Sequence, residues 1–178
     1  MEDTIHIGKN ETLEEIIELL IDEYGDTIKR LIYTYIKDWN ITEDVTQEVF
    51  ITCYNKYHLF RGESNIKTWV YQIAVNKAKD TLKRKSFRQF LRFEPLRDNL
   101  QHGQHSIEEQ VIKEDEKLNF SNKVLSLPVK YREIIIFFYY EELTIREINE
   151  LTGINEQTIK SRLRRGKLLL RRKFEGSE

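Results

Sequence analysis

Between Thr144 and Arg171 the chain carries a full set of helix punctuation. Thr144-Ile145-Arg146-Glu147 has the form of a capping box. In such a box the threonine oxygen accepts from the third helical amide and the glutamate reaches back to the cap. Ile145, Ile148 and Leu151 give this segment one apolar face. Gly153 follows, and glycine ends helices because it enters the left-handed region without a Cβ clash. Ile154 can plug the corner, and Asn155 is a good cap for a second helix. In that helix Ile159, Leu163 and Leu170 lie on or near one stripe, while Lys160, Arg164, Lys167 and Arg171 line another side. Two helices joined by a tight turn make a helix-turn-helix, whose second helix can enter the major groove of DNA.

The leading residues of such a helix reach base edges. Here they are Glu156, Gln157, Thr158, Lys160 and Ser161. Glutamine can pair with adenine, lysine or arginine with guanine, and glutamate can accept from cytosine. Arg162, Arg164, Arg165 and Lys167 are placed to hold phosphates. A plain helical hairpin with a solvated basic side has the same periodicity. The order of capping box, glycine, second cap and basic helix favours DNA binding over it.

The rest of the chain is also helical in pattern. It has 178 residues, room for one ordinary domain or two small ones. Only two prolines and seven glycines occur, and strand-like alternation is scarce, which predicts an all-α fold. The longest apolar run, Ile134 to Tyr140, is too short for a membrane span, which needs about 20 residues. The N-terminus lacks the layout of a signal peptide. Cys53 is the only cysteine; it suits a reducing cytoplasm and reads as core filler. Charge is unevenly spread. Residues 1–60 hold 13 acids against 5 Lys/Arg, residues 77–92 hold 7 Lys/Arg against Asp80, and residues 154–174 hold 8 against Glu156. Such runs are commonly solvated faces, so the charge alone names no partner.

Residues 12–39 are predicted helical, with Leu13, Ile16, Ile17, Leu20 and Ile21 on an inward stripe. A polar break at Asp38–Ile41 separates them from a second helix reaching Tyr57, capped by Thr42, with Glu43 and Asp44 in its first turn. Phe60 to Asn65 reads as a loop, and a third helix runs from Ile66 to about Lys85. Periodicity is lost from Phe93 to Glu114, which reads as a flexible linker. Its His102 and His105 lack the spacing and companions of a zinc site. A second helical unit occupies residues 115–175, with a helix ending before Leu127-Pro128 and another starting at Pro128.

Two faces in the first unit carry further chemistry. Asp44, Gln47 and Glu48 share one side of their helix, with Val45 and Val49 on another. That polar side could be solvated or could meet a basic partner. On the third helix, Val70, Ile73, Ala74, Ala78 and Leu82 can pack inward, while Gln72, Asn76, Lys79 and Lys83 form a polar stripe. Aromatic residues beside basic ones suit stacking on single-stranded bases with phosphate neutralisation. Trp69 and Tyr71 also fit a core role.

With these segments in view, the chain resembles the compact extracytoplasmic-function (group 4) sigma factors of the sigma-70 family. Glu43 to Phe50 resembles the segment that grips the clamp helices of RNA polymerase. Phe60-Arg61-Gly62 with Thr68 to Asn76 resembles the promoter-melting, −10-reading segment. Leu127-Pro128, Tyr131-Arg132 and Thr144 to Arg165 resemble the −35-reading domain, with Thr158-Ile159-Lys160-Ser161-Arg162 as its core. The pattern departs at Gly166, where the family often has alanine, and at Asn155 and Glu156.

The resemblance implies a region 2-like domain at residues 1–92, a linker at 93–114 and a region 4-like domain at 115–178. It implies core polymerase binding by Asp44, Gln47 and Glu48. For the −10 element it implies Phe60, Arg61, Asn65, Trp69, Gln72, Asn76, Lys79, Lys83 and Arg84. For the −35 element it implies Asn155, Glu156, Gln157, Thr158, Lys160, Ser161, Arg162 and Arg165. The implied partners are core RNA polymerase, promoter DNA and an anti-sigma factor. No catalytic residue, cofactor, metal, small-molecule substrate or membrane insertion is expected. The competing class is a helix-turn-helix regulator acting without being a polymerase subunit, which would not need the Asp44 face or the Trp69–Arg84 helix.

Overall fold

A computed structural model describes residues 11–62, 65–92 and 120–175. These residues form α1 (Leu13–Ile36), α2 (Trp39–Lys56), one 3-10 turn (Tyr57–Leu59) and α3 (Ile66–Arg92). There follow α4, described over residues 120–125, then α5 (Val129–Tyr139), α6 (Ile145–Thr152) and α7 (Glu156–Glu175). No strand occurs among the described residues, and the fold is all-α. The chain divides into two compact units, residues 1–96 and 97–178. The expected linker, its histidines and the first ten residues lie outside the described residues.

In the first unit, α1, α2 and α3 pack against one another. Thr12 caps α1 in a reciprocal box that the sequence reading did not single out. Its amide donates to Glu15 Oε2 at 2.7 Å, and the Glu15 amide donates to Thr12 Oγ1 at 3.3 Å. The helix stops at Lys37, whose φ of 55° reverses the chain. Ile16, Ile17, Leu20, Tyr24, Ile28, Leu31 and Ile32 are buried, but Ile21 is 44% exposed. One residue advances a helix by about 100°, which carries Ile21 off the stripe centred on Leu20. Across the core, Tyr24 meets Tyr71 edge-on with ring centroids 6.5 Å apart. Cys53 is fully buried, and burial pushes its thiol up to about 12. Reactivity needs the thiolate, so this cysteine fills space.

The start of α2 corrects the sequence reading. Asp38, not Thr42, is the cap, its Oδ1 accepting from the Ile41 amide at 3.2 Å. Glu43 and Asp44 therefore lie beyond the first turn. Thr42 lies inside the helix and is fully buried, and its hydroxyl has no hydrogen-bond partner among the described residues. A cap is chosen by where the chain leaves extended geometry, and Asp38 has that geometry (φ −147°, ψ 115°). Thr42→Val is therefore expected to raise the unfolding free energy by about 1 kcal/mol, because an unpaired buried hydroxyl is replaced by a methyl. A cap role would give a loss of similar size, so urea unfolding of the variant separates the two assignments.

In the second unit, α5 packs on α6 and α7. Pro128 is the cap of α5 (ψ 138°), one place before its expected position in the first turn. Arg132, 3% exposed, donates from Nη1 to the Leu125 carbonyl and to the Leu127 carbonyl, the latter at 3.1 Å. One charged donor nitrogen thus meets two carbonyls that the end of α4 leaves unpaired. The predicted capping box opens α6: the Thr144 amide donates to Glu147 Oε2 at 2.7 Å, and the Glu147 amide to Thr144 Oγ1 at 3.2 Å. Gly153 ends the helix at φ 68°. The Asn149 side chain donates to the Ile154 carbonyl at 2.8 Å, fixing the turn. Ile148 and Ile159 are fully buried, and α7 crosses α5 closely at Gly166. A Cβ added there would meet Ile135 Cγ1 at 3.1 Å, so an alanine would need Ile135 to shift by a few tenths of an ångström.

Candidate nucleic-acid and polymerase interfaces

Three surfaces hold the residues singled out from the sequence. The first lies on α2, where Asp44, Gln47 and Glu48 are exposed. Val45 and Val49 on the other side are buried at 3% and 0% exposure. Glu48 accepts from Lys77 Nζ of α3 at 3.2 Å, so its charge is shared with the fold. Gln47 lines an open groove of about 780 Å³ between α1 and α2. Ile17, Ile21, Phe50, Ile51 and Tyr54 supply apolar lining, with Asp22 and Asp26 beside them. The groove was not legible in the sequence, since it depends on Ile21 and Ile51 pointing out together.

The second surface joins the 3-10 turn to α3. Phe60 and Trp69 have ring centroids 5.3 Å apart, and Tyr57 meets Trp69 edge-on at 6.3 Å. All three rings are half-buried, so Trp69 is neither core nor free; it belongs to a partly open aromatic cluster. Tyr57 was missed because it looks like the end of a helix in sequence. Gly62 turns the chain at φ 71°. Asn65 is exposed, but its Oδ1 accepts from the Lys67 amide at 2.9 Å, capping α3. Gln72, Asn76, Lys83 and Arg84 are exposed, and Lys79 is half-buried. Lys83 is 3.4 Å from Asp80, an exposed contact of little energetic weight. Arg61 is exposed at the edge of the cluster. Tyr71 turns inward and is 2% exposed, the core outcome.

The third surface is the front of α7. Asn155 Oδ1 accepts from the Gln157 amide at 2.8 Å, the predicted cap. Glu156, Gln157 and Lys160 are exposed, with Lys160 Nζ 3.8 Å from Glu156 Oε2. Thr158 and Ser161 are half-buried, and the Ser161 hydroxyl donates to the Thr158 carbonyl at 2.9 Å. Arg164 is exposed, and Lys167, also exposed, holds its Nζ 5.1 Å from the centroid of the Tyr139 ring of α5. Two arginines also have partners on α5. Arg162 Nη1 donates to Glu133 Oε1 at 3.3 Å, and the Arg165 guanidinium beside Tyr131 holds its phenol below the ordinary value. The sequence signal for Glu133 was weak: one acid opening the apolar run of α5.

A two-unit helical protein with a capped helix-turn-helix in one unit, and a basic helix beside an aromatic cluster in the other, is of the DNA-binding transcription class. The family model for Sigma-70 region 2 matches residues 20–88, and that for Sigma-70, region 4 matches residues 118–170. The chain is 33% identical over 162 residues to the ECF RNA polymerase sigma factor SigW of Bacillus subtilis (strain 168), covering 87% of each chain. It is 28% identical to SigX of the same organism, over 92% of this chain and 86% of that one. The fold is similar to that of the sigma factor RpoE in its complex with the anti-sigma factor NepR from Bartonella quintana. There the TM-score is 0.72 at 16% identity, covering 92% of this chain and 99% of that one. CnrH, in complex with the cytosolic domain of CnrY, gives a TM-score of 0.66 at 14% identity over 93% of this chain and 91% of that one. The chain belongs to the extracytoplasmic-function sigma factors of the sigma-70 family. Proteins of this family are transcription initiation factors and not enzymes. Among the described residues no helix is long and apolar enough to cross a membrane.

Proposed function

We propose that the chain binds core RNA polymerase through α2 and directs promoter-specific initiation, with α7 reading the −35 element and α3 capturing the melted −10 strand. The supporting observation is that the two nucleic-acid faces have different chemistry in separate units. The aromatic cluster Tyr57–Phe60–Trp69 adjoins the basic side of α3, as single-stranded bases require. The capped helix-turn-helix presents Gln157 and Lys160, as duplex reading requires. A regulator that acts alone has no use for the first surface.

Opening the −10 region costs a few kcal/mol per unstacked step. Stacking against Trp69 and Phe60, with Gln72 and Asn76 beside them and Arg61 and Asn65 at the loop, offsets that cost. Lys79, Lys83 and Arg84 hold the strand backbone. Asn155, Glu156, Gln157, Thr158, Lys160, Ser161, Arg162 and Arg165 make up the −35 face. Each unit binds weakly alone, and polymerase raises the effective concentration of the second contact. Residues 93–114 serve as the linker between the two sigma domains. The complexes formed by RpoE and CnrH support the same kind of control here, an anti-sigma factor that covers the DNA and polymerase surfaces. The protein acts in the cytoplasm, where polymerase and DNA are.

The test is specific initiation from a promoter set by purified chain and core polymerase. Tight binding to duplex DNA without polymerase, and no transcript from any promoter, would sink the proposal. Asp44→Ala with Gln47→Ala is expected to weaken polymerase binding about tenfold, since truncating two interface side chains costs roughly 1–2 kcal/mol. Both side chains are exposed, so the melting curve should not move. Unchanged polymerase affinity would remove this face from the interface.

A further inference from the structure

We propose that Lys77 is a contact for the melted −10 strand that Glu48 holds in reserve: the ion pair between them opens when polymerase engages Glu48, so that polymerase binding and strand capture are coupled through one carboxylate. This rests on α2 being the polymerase face and α3 the −10 face.

The pair joins those two faces directly. Glu48 lies one turn after Asp44 on α2, and its side chain is 52% exposed. Lys77 follows Asn76 on α3, and its side chain is 33% exposed. The Lys77 Nζ donates to Glu48 Oε2 at 3.2 Å. Each residue turns a helix by about 100°, so seven residues make nearly two full turns. Lys77 and Arg84 therefore lie along one line of α3, about 10 Å apart, where a single strand backbone can meet both.

Two properties make the pair a switch and not a brace. Both side chains reach water, and an exposed ion pair shifts an equilibrium only a few-fold. Either partner can therefore leave at little cost, and neither is stranded when it does. Each also has a competing partner in the assembled complex. A strand phosphate draws Lys77 away from α2. A polymerase arginine can fork onto both oxygens of Glu48, leaving none for Lys77. In that exchange one ion pair breaks and two form. In the free chain, by contrast, Glu48 cancels one positive charge at the edge of the −10 face. The two binding events are thus linked, and the linkage is reciprocal: the factor that polymerase adds to strand affinity, the strand adds to polymerase affinity.

The experiment uses the full chain with core polymerase and reads two quantities. One is the affinity of the chain for the core. The other is the affinity of the holoenzyme for a single-stranded oligonucleotide, over a range of potassium chloride. The oligonucleotide carries the non-template −10 sequence of a promoter that the holoenzyme transcribes. Lys77→Ala is expected to tighten core binding about threefold, because Glu48 loses its internal competitor. The same variant is expected to lower the slope of log K against log salt for the oligonucleotide by about 0.7, one lost phosphate contact, which is about fivefold weaker binding at about 0.1 M salt. Glu48→Gln should weaken core binding. Adding Lys77→Ala to it should bring no gain, since the carboxylate that Lys77 occupied is gone. Lys77→Gln removes the charge while keeping most of the side chain, and it should match Lys77→Ala in both readouts even if alanine disturbs the packing of α3.

Core affinity that is unchanged or weakened in both Lys77 variants overturns the inference. So does a holoenzyme slope that stays at its wild-type value, or a threefold gain that persists in the Glu48→Gln background. Failure of the underlying reading gives a different result. In that case Asp44→Ala with Gln47→Ala leaves core affinity unchanged, or Lys83→Ala with Arg84→Ala leaves the oligonucleotide slope unchanged.

Discussion

Arg132→Ala is expected to lower the unfolding free energy of the second unit by about 3 kcal/mol. The guanidinium is 3% exposed and reaches two carbonyls, those of Leu125 and Leu127. A hydrogen bond to a charged group contributes about 1.5–3 kcal/mol, and a carbonyl left buried without a partner adds its own desolvation cost. Alanine also opens a cavity beside Leu127, which is 2% exposed. Part of this is recovered if water reaches the Leu125 carbonyl, and about 3 kcal/mol is what remains. Arg132→Lys should recover less than half, since the lysine side chain is one bond shorter and its ammonium falls short of the position from which Nη1 serves both carbonyls. Hydrogen exchange at the amides of α5 reports this unit by itself. A loss under 1 kcal/mol would show that the α4–α5 corner is held by packing alone.

Lys83→Ala with Arg84→Ala is expected to weaken capture of the melted −10 strand about 25-fold at 0.1 M salt. Both side chains are exposed, so the fold loses little. Each phosphate contact on a single strand changes the slope of log K against log salt by about 0.7. Two contacts give about 1.4 log units between 1 M and 0.1 M salt, which is the 25-fold loss. The holoenzyme should therefore show slower open-complex formation, with the defect vanishing as salt rises. The fluorescence change of Trp69 on strand binding, measured in a Trp39→Phe background, gives an independent reading. A defect of the same size at high and low salt would mean that these side chains act through structure and not through charge.

Much of the fold could be read directly from local chemistry. The Thr144 box, Gly153 and the Asn155 cap were legible because each is decided within four residues of backbone. The inward positions Val70, Ala74 and Ala78 followed from helical period alone. Thr42 misled because threonine, glutamate and aspartate in sequence look like a helix start, while the chain had already turned helical at Trp39. Trp39 stacks on Tyr33 at 4.1 Å, a contact between α1 and α2 that no local rule contains. Trp69 was ambiguous for the same reason: its surroundings are Tyr57 and Phe60, brought beside it by the 3-10 turn.

Local chemistry alone pointed to an all-helical, two-unit chain with a capped helix-turn-helix and a second basic helix. Caps, glycines and apolar periods are short-range, and their energies add up within single elements. The tertiary structure decided which charges are available to a partner. Lys160 and Arg162 are two residues apart on one basic helix, yet one is exposed and the other faces a buried carboxylate on α5. That difference depends on how α7 packs, because a helix sends successive residues to different sides and only a neighbour says which side is inside.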